Sequence, residues 1–136
     1  MFHVKQYDDI LYKLALKSYK KDEIPVGSIV IYKDKIIGKG YNNRQSKNNV
    51  CGHAEINAIL NAEKKIKDWR LNDCIIISTL KPCNMCYEII KESRINKIYY
   101  ILDQKNINYN DNSVKKINID DNKYKKLINL FFESKR

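Results

Sequence analysis

At 136 residues with 43% hydrophobic side chains, the chain is long enough for a real core and too apolar for wholesale disorder. Its longest apolar runs, such as CIIIS, are far too short to cross a bilayer, and no charged-then-apolar N-terminus with a small-residue cleavage site argues for secretion. The formal net charge of +10 points to an anionic partner such as RNA. Only four of the 26 basic residues are arginines (Arg44, Arg70, Arg94, Arg136), so the lysine excess also fits a composition bias.

No repeat, linker or low-complexity insert divides the chain, and residues 1–136 are expected to form one domain. Tyr7, Ile10, Leu11, Leu14 and Ala15 recur at helical spacing, which predicts an amphipathic helix ending near Lys20. Pro25 and Gly27 then punctuate the chain. SIVIYKDKIIGKGY reads as two short strands joined by a tight turn at residues 33–35, followed by the aperiodic loop NNRQSKNNVCG. From His53 the pattern is helical again, with Ile56, Ile59, Leu60 and Ile66 on one face. Residues 74–78 have strand length and composition, and Pro82 suits the first turn of the next helix, where a missing N–H costs nothing. Met85, Cys86, Ile89 and Ile90 give that helix a buried stripe. KIYYIL and VKKINI read as two further strands, and Tyr124, Leu127, Ile128, Phe131 and Phe132 mark a C-terminal helix. This order implies an α/β fold, a mixed sheet with helices packed on its faces.

Cys83 and Cys86 stand three apart after a proline, which is half of a tetrahedral metal site. There is no second CxxC; Cys51 and Cys74 stand alone, and the histidines are His3 and His53. With no export signal the expected compartment is the cytoplasm, where such cysteines read as ligands or plain thiols rather than disulfides. His53, thirty residues before Cys83 (83 − 53 = 30), can supply a third ligand. Three protein ligands leave the fourth position to water, the arrangement of catalytic rather than structural zinc. A fourth ligand from Cys51 would close that position. Both His53 and Cys83 are expected at helix N-termini, whose partial positive charge favours thiolate. Glu55, two residues past His53, can reach the water without binding the metal. Taken singly, Glu55 also reads as a solvated first-turn glutamate and His53 as an ordinary helix residue. Together with Pro-Cys-x-x-Cys they complete H-x-E…P-C-x-x-C, the signature of zinc nucleobase deaminases.

Nearly the whole chain then resembles the cytidine/deoxycytidylate deaminase superfamily, and within it the bacterial tRNA-specific adenosine deaminases. The resemblance is carried by EIPVGSIVI, by YNNR with Asn42 eleven residues before His53 (53 − 42 = 11), and by HAEINAI, WRL, TLKPCNMC, SRI and the terminal FFESKR, in family order. The metal motif is common to all deaminase branches; WRL, SRI and the Phe-Phe ending narrow it. The resemblance implies a three-layer cytidine-deaminase-like fold with a central five-stranded mixed sheet and helices on both faces. It implies a cytoplasmic homodimer with one zinc ion per subunit, converting adenosine to inosine at the wobble position of a tRNA anticodon stem-loop, that of an arginine tRNA with an ACG anticodon. His53, Cys83 and Cys86 would bind zinc, and Glu55 would shuttle protons. Asn42 would hydrogen-bond the base edge, Val26 would pack on its ring, and the Ala54 backbone would help fix it. Phe131, Phe132 and Lys135 would contact the anticodon loop.

Three features depart from the family pattern. Lys81 stands where glutamate is usual, CYEII replaces small residues after the second cysteine, and a glycine-rich stretch after Asp103 is replaced by the shorter QKNINYNDNSVKK. A deaminase of free bases or nucleotides is the alternative, since the same metal core would serve it.

Overall fold

The structure, a computed structural model, describes residues 4–135; His3 and Arg136 lie outside them. Nine elements follow in chain order: α1 (Lys5–Lys20), β1 (Gly27–Tyr32), β2 (Lys35–Tyr41), α2 (Ala54–Ile66), β3 (Cys74–Leu80), α3 (Asn84–Glu92), β4 (Lys97–Leu102), β5 (Val114–Lys116) and α4 (Asn122–Glu133). The strands form one mixed sheet in the order β2-β1-β3-β4-β5. β1 runs antiparallel to both β2 and β3, while β3, β4 and β5 are mutually parallel. This is the α/β architecture expected, five strands with helices on both faces.

Alternation along the strands sorts the core into two layers. Ile29, Ile31 and Ile77 point to one face, where they meet Tyr7, Leu11 and Leu14 of α1 and Tyr124 of α4. Val30, Ile76 and Ile98 point to the other, against Ala58, Ile59 and Ala62 of α2 and Ile90 of α3. The contact between β2 and α2 is backbone to backbone. A Cβ on Gly40 would lie 2.2 Å from the Ala54 carbonyl oxygen, and one on Gly38 would lie 2.2 Å from that of Ala58. Only glycine on the strand and alanine at 54, 58 and 62 on the helix permit this approach.

That small-residue seam corrects part of the helical pattern. Leu60 is 49% exposed, because it lies two positions on from Ala58 and so points away from the seam. Ile66, the last residue of α2, is 39% exposed. On α3 the buried residues are Cys86 and Ile90; Met85 is exposed and Ile89 half-buried. Pro82 sits one residue before the N-cap Cys83 rather than in the helical first turn.

The stretch between β4 and β5 is tied to the turn that leads into α3. The Tyr109 hydroxyl donates to the Pro82 carbonyl (2.7 Å), and its ring stacks on Tyr87 at 3.9 Å with 9° between planes. The Asn108 N–H donates to Asn84 Oδ1 (2.8 Å), the Tyr87 hydroxyl donates to Asp111 (2.6 Å), and Gln104 Nε2 donates to the Lys81 carbonyl. No helix among the described residues is long and apolar enough to cross a membrane.

Candidate active site

Two crossovers bring the site together. β2 and β3 run in the same direction on either side of β1, so α2, which links them, begins at the C-terminal edge of the sheet. The parallel β3–α3–β4 unit starts α3 at that same edge. His53 is the N-cap of α2 and Cys83 the N-cap of α3, both in extended backbone conformation. Neither uses its side chain as a cap, which leaves the imidazole and the thiol free to face each other. The cap of α2 comes from elsewhere: Asn42, just past β2, accepts the Ala54 N–H through Oδ1 (2.8 Å) and donates through Nδ2 to the Ile24 carbonyl (3.0 Å).

His53 Nδ1 lies 3.7 Å from Cys83 Sγ and 3.3 Å from Cys86 Sγ, and all three donor atoms fall within 4.8 Å of one another. One nitrogen and two sulfurs at this spacing fit a tetrahedral zinc with a position left over. Cys51, half-buried two residues before His53, is outside the group. The Cys83 thiol is pulled down to about 4, first by a hydrogen bond from Cys86 and further by one from His53. The Cys83 contact, with burial, pushes Cys86 up, and the Cys83 contact also raises His53. A ready thiolate beside an imidazole is the donor chemistry zinc takes.

Glu55 lies in the first turn of α2 with 4% of its surface exposed, and burial raises its carboxyl to about 7. A carboxyl poised there can both give and take a proton at neutral pH. Ser78, buried on β3, has a hydroxyl with no hydrogen bond of normal geometry among the described residues, and it bears on the Glu55 carboxyl.

These groups open into a cleft of about 740 Å³, lined among others by His53, Glu55, Cys83, Val26, Asn42 and Phe131. Lys135 also reaches it and pairs with Asp22. Ala54 is fully buried with its N–H spent on Asn42. Phe131 is 8% exposed and packs edge-on to Phe132, which is 49% exposed and faces a neighbouring groove bounded by Ile24, Leu80 and Gln104. Those three residues border the cleft as well.

Sequence reasoning included Glu23 in the EIPVGSIVI segment but gave it no role. Its carboxylate is 3% exposed and accepts the Gln45 N–H (3.0 Å) and the Ser46 N–H (2.7 Å), so it staples the loop between β2 and α2 to the segment before β1. The available signal was an acidic residue wedged against Ile24-Pro25-Val26, where solvation is poor.

Comparison with known proteins agrees with this geometry. Residues 3–102 match the cytidine and deoxycytidylate deaminase zinc-binding region. A tRNA-specific adenosine deaminase of Buchnera aphidicola is 35% identical over 95% of this chain and 96% of its own. Among solved structures, one from work on A-to-I editing by tRNA:A34 deaminases superposes with a TM-score of 0.74 over 83% of this chain and 98% of its own; at 23% identity it attests the fold. A guanine deaminase from Bacillus subtilis, 30% identical, has a TM-score of 0.69 over 76% of this chain and 66% of its own. From a trio of donors that could hold a metal to its sheet order, the chain belongs to the zinc-binding cytidine and deoxycytidylate deaminase family, on the branch that holds the tRNA-specific adenosine deaminases.

Proposed function

We propose that this chain is a zinc-dependent hydrolase that converts adenosine to inosine at the wobble position of a tRNA anticodon stem-loop, with water consumed and ammonia released. An arginine tRNA with an ACG anticodon is the first substrate to try. The observation that carries the reading is the open three-donor seat of His53, Cys83 and Cys86 with the buried Glu55 beside it in one cleft. Zinc, when bound, supplies a Lewis acid that makes water a nucleophile at neutral pH.

The chain's own residues do the rest. Glu55 takes one proton from the attacking water and gives it to the ring nitrogen of the base. It then takes the second from the new hydroxyl and passes it to the departing amine, which its value of about 7 permits in both directions. Val26, 3% exposed at the head of β1, gives the base an apolar surface. Asn42 is locked in orientation by Ala54 and Ile24, so its second Nδ2 hydrogen is aimed before the base arrives. Bases of a loop splay out and stack on aromatic faces, a role for the exposed Phe132 with the buried Phe131 backing it edge-on, and with Lys135 beside the backbone. The relative from Buchnera aphidicola, matched over almost its full length, supports tRNA as substrate. One domain, working in the cytoplasm as a homodimer, completes the proposal. Leu60, Trp69 and Met85, large apolar side chains left in water, are what a subunit contact would cover.

A second reading, deamination of a free base or nucleotide, is favoured by the likeness to the Bacillus subtilis guanine deaminase. Incubating zinc-loaded protein with tRNA bearing adenosine at the wobble position should yield inosine. Ammonia from guanine, cytosine or nucleotides, with no inosine in tRNA, would establish the second reading instead.

A further inference from the structure

Three basic side chains, Lys21, Arg44 and Lys81, border the cleft and take no part in the chemistry described above, and the last two stand where two strands leave the sheet. Arg44 follows the C-terminal end of β2 and Lys81 the C-terminal end of β3. In the sheet these strands flank β1, so the two segments leave the edge two strand spacings apart, roughly 10 Å. Val26, immediately before β1, lies between them.

Lys81 is held in place before any ligand arrives. Its N–H donates to the Leu102 carbonyl (2.8 Å), and its own carbonyl accepts from Gln104. The ammonium sits over the rings of Tyr100 and Tyr109, 5.3 and 5.7 Å from their centroids. Tyr109 is itself fixed by Pro82 and Tyr87. The carboxylate paired with Lys81, that of Asp103, lies 3.9 Å away, at the outer limit of an ion pair. Ring faces steady a cation without neutralising it, so the charge stays available to an anion. Arg44 makes no ion pair among the described residues, and its loop is fastened by the bonds from Gln45 and Ser46 to Glu23. Lys135, by contrast, is already paired with Asp22.

We infer that Lys81 and Arg44 are phosphodiester seats, gripping the RNA strand on either side of the nucleotide whose base enters the cleft over Val26. This rests on the nucleic-acid reading above. A cation fixed in advance binds phosphate without first losing side-chain freedom, and each seated phosphate releases condensed counterions.

The test is the salt dependence of binding between a short RNA hairpin with adenosine in its loop and zinc-loaded Glu55→Ala protein, chosen so that the RNA is not consumed. Lys81→Gln and Arg44→Gln should each reduce the slope of log K against log salt by about 0.7–0.9. Lys97→Gln, at the opposite end of the sheet where β4 begins, should leave the slope as it is. Affinity for free adenosine, which has no phosphate, should be the same in all variants. An unchanged slope in Lys81→Gln and Arg44→Gln, an equal drop in Lys97→Gln, or an equal loss of adenosine affinity overturns the seats. Inosine formation by the unsubstituted protein on the same hairpin is scored separately; its absence removes the editing reading, while the slopes still decide the seats.

Discussion

On the sheet side of the cleft, the functional atoms hang from backbone that packs directly on other backbone, whereas α4 on the far side leans on the molecule through side chains. His53, Glu55 and Asn42 inherit their positions from the Gly38–Gly40 seam under α2 and from the Asn42–Ala54 bond. α4 is held by Tyr124 and Lys123 on Asp8, by the edge-on Tyr12–Tyr124 pair and by Lys135 on Asp22. The difference separates chemistry, which tolerates little displacement, from recognition of a deformable polynucleotide, which tolerates more.

The largest effects should come from the chemical side. Glu55→Ala should keep zinc and lose turnover by about 10²–10⁴-fold, while His53→Ala loses both. Metal analysis beside an inosine assay reads this, and zinc missing from the glutamate variant would count against the role given to Glu55.

A pair of neighbouring substitutions then splits the far side in two. Phe131→Ala removes a ring that is 8% exposed and should cost about 3 kcal/mol of folding stability. Phe132→Ala removes one that is 49% exposed, should leave the unfolding midpoint nearly unmoved, and should weaken RNA binding by about 1–3 kcal/mol. Denaturant titration with RNA titration distinguishes the two, and equal losses of stability would erase the distinction between them.

Glu55 also gives the chemical side a pH signature. With a folded value of about 7 against 4.5 as the reference, the folded state keeps a proton that the unfolded state has released. Stability is therefore lost as pH rises from about 4.5 to 7, by about 3 kcal/mol in metal-free protein. Cys83, pulled down to about 4, acts in the opposite sense, so the useful quantity is the difference from Glu55→Gln, in which the glutamate contribution vanishes. Urea unfolding of both proteins at several pH values measures it; parallel profiles would mean that burial does not hold the carboxyl neutral.

A milder disturbance is Gly40→Ala. Its Cβ would meet the Ala54 carbonyl at 2.2 Å and force α2 outward, costing about 1–3 kcal/mol. Because Ala54 adjoins both His53 and Glu55, zinc affinity should fall with stability. Loss of stability with zinc affinity intact would show that the seam supports the fold alone.

Much of this was legible in the residues, for physical reasons that differ from place to place. The short apolar runs of β1 and β3 and the helical spacing in α1 and α4 are read directly from side-chain chemistry, and those elements appear as expected. The convergence of His53, Cys83 and Cys86 into a group that could hold a metal was legible because few side chains bind zinc and the spacing of those that do is stereotyped. The inward face of α2 was legible only in part: Ile56 and Ile59 are buried as expected, but the contact with β2 is made by alanines against glycines, and Leu60 and Ile66 are left in solvent. Glu23 escaped for a similar reason, since its partners are backbone N–H groups on a loop with no pattern. The tie between Tyr109, Tyr87 and Pro82 joins segments far apart in the chain and is visible only once they are folded together.

The Glu23 carboxylate has a thermodynamic consequence for ligand capture. By fastening the segment before β1 to the one after β2, it removes the freedom of the open end of the β1–β2 hairpin during folding, with Ser18 anchoring the Val26 carbonyl alongside (3.1 Å). An incoming strand then meets a wall whose ordering entropy was settled beforehand, and association on that side should proceed at a rate set by encounter rather than by rearrangement.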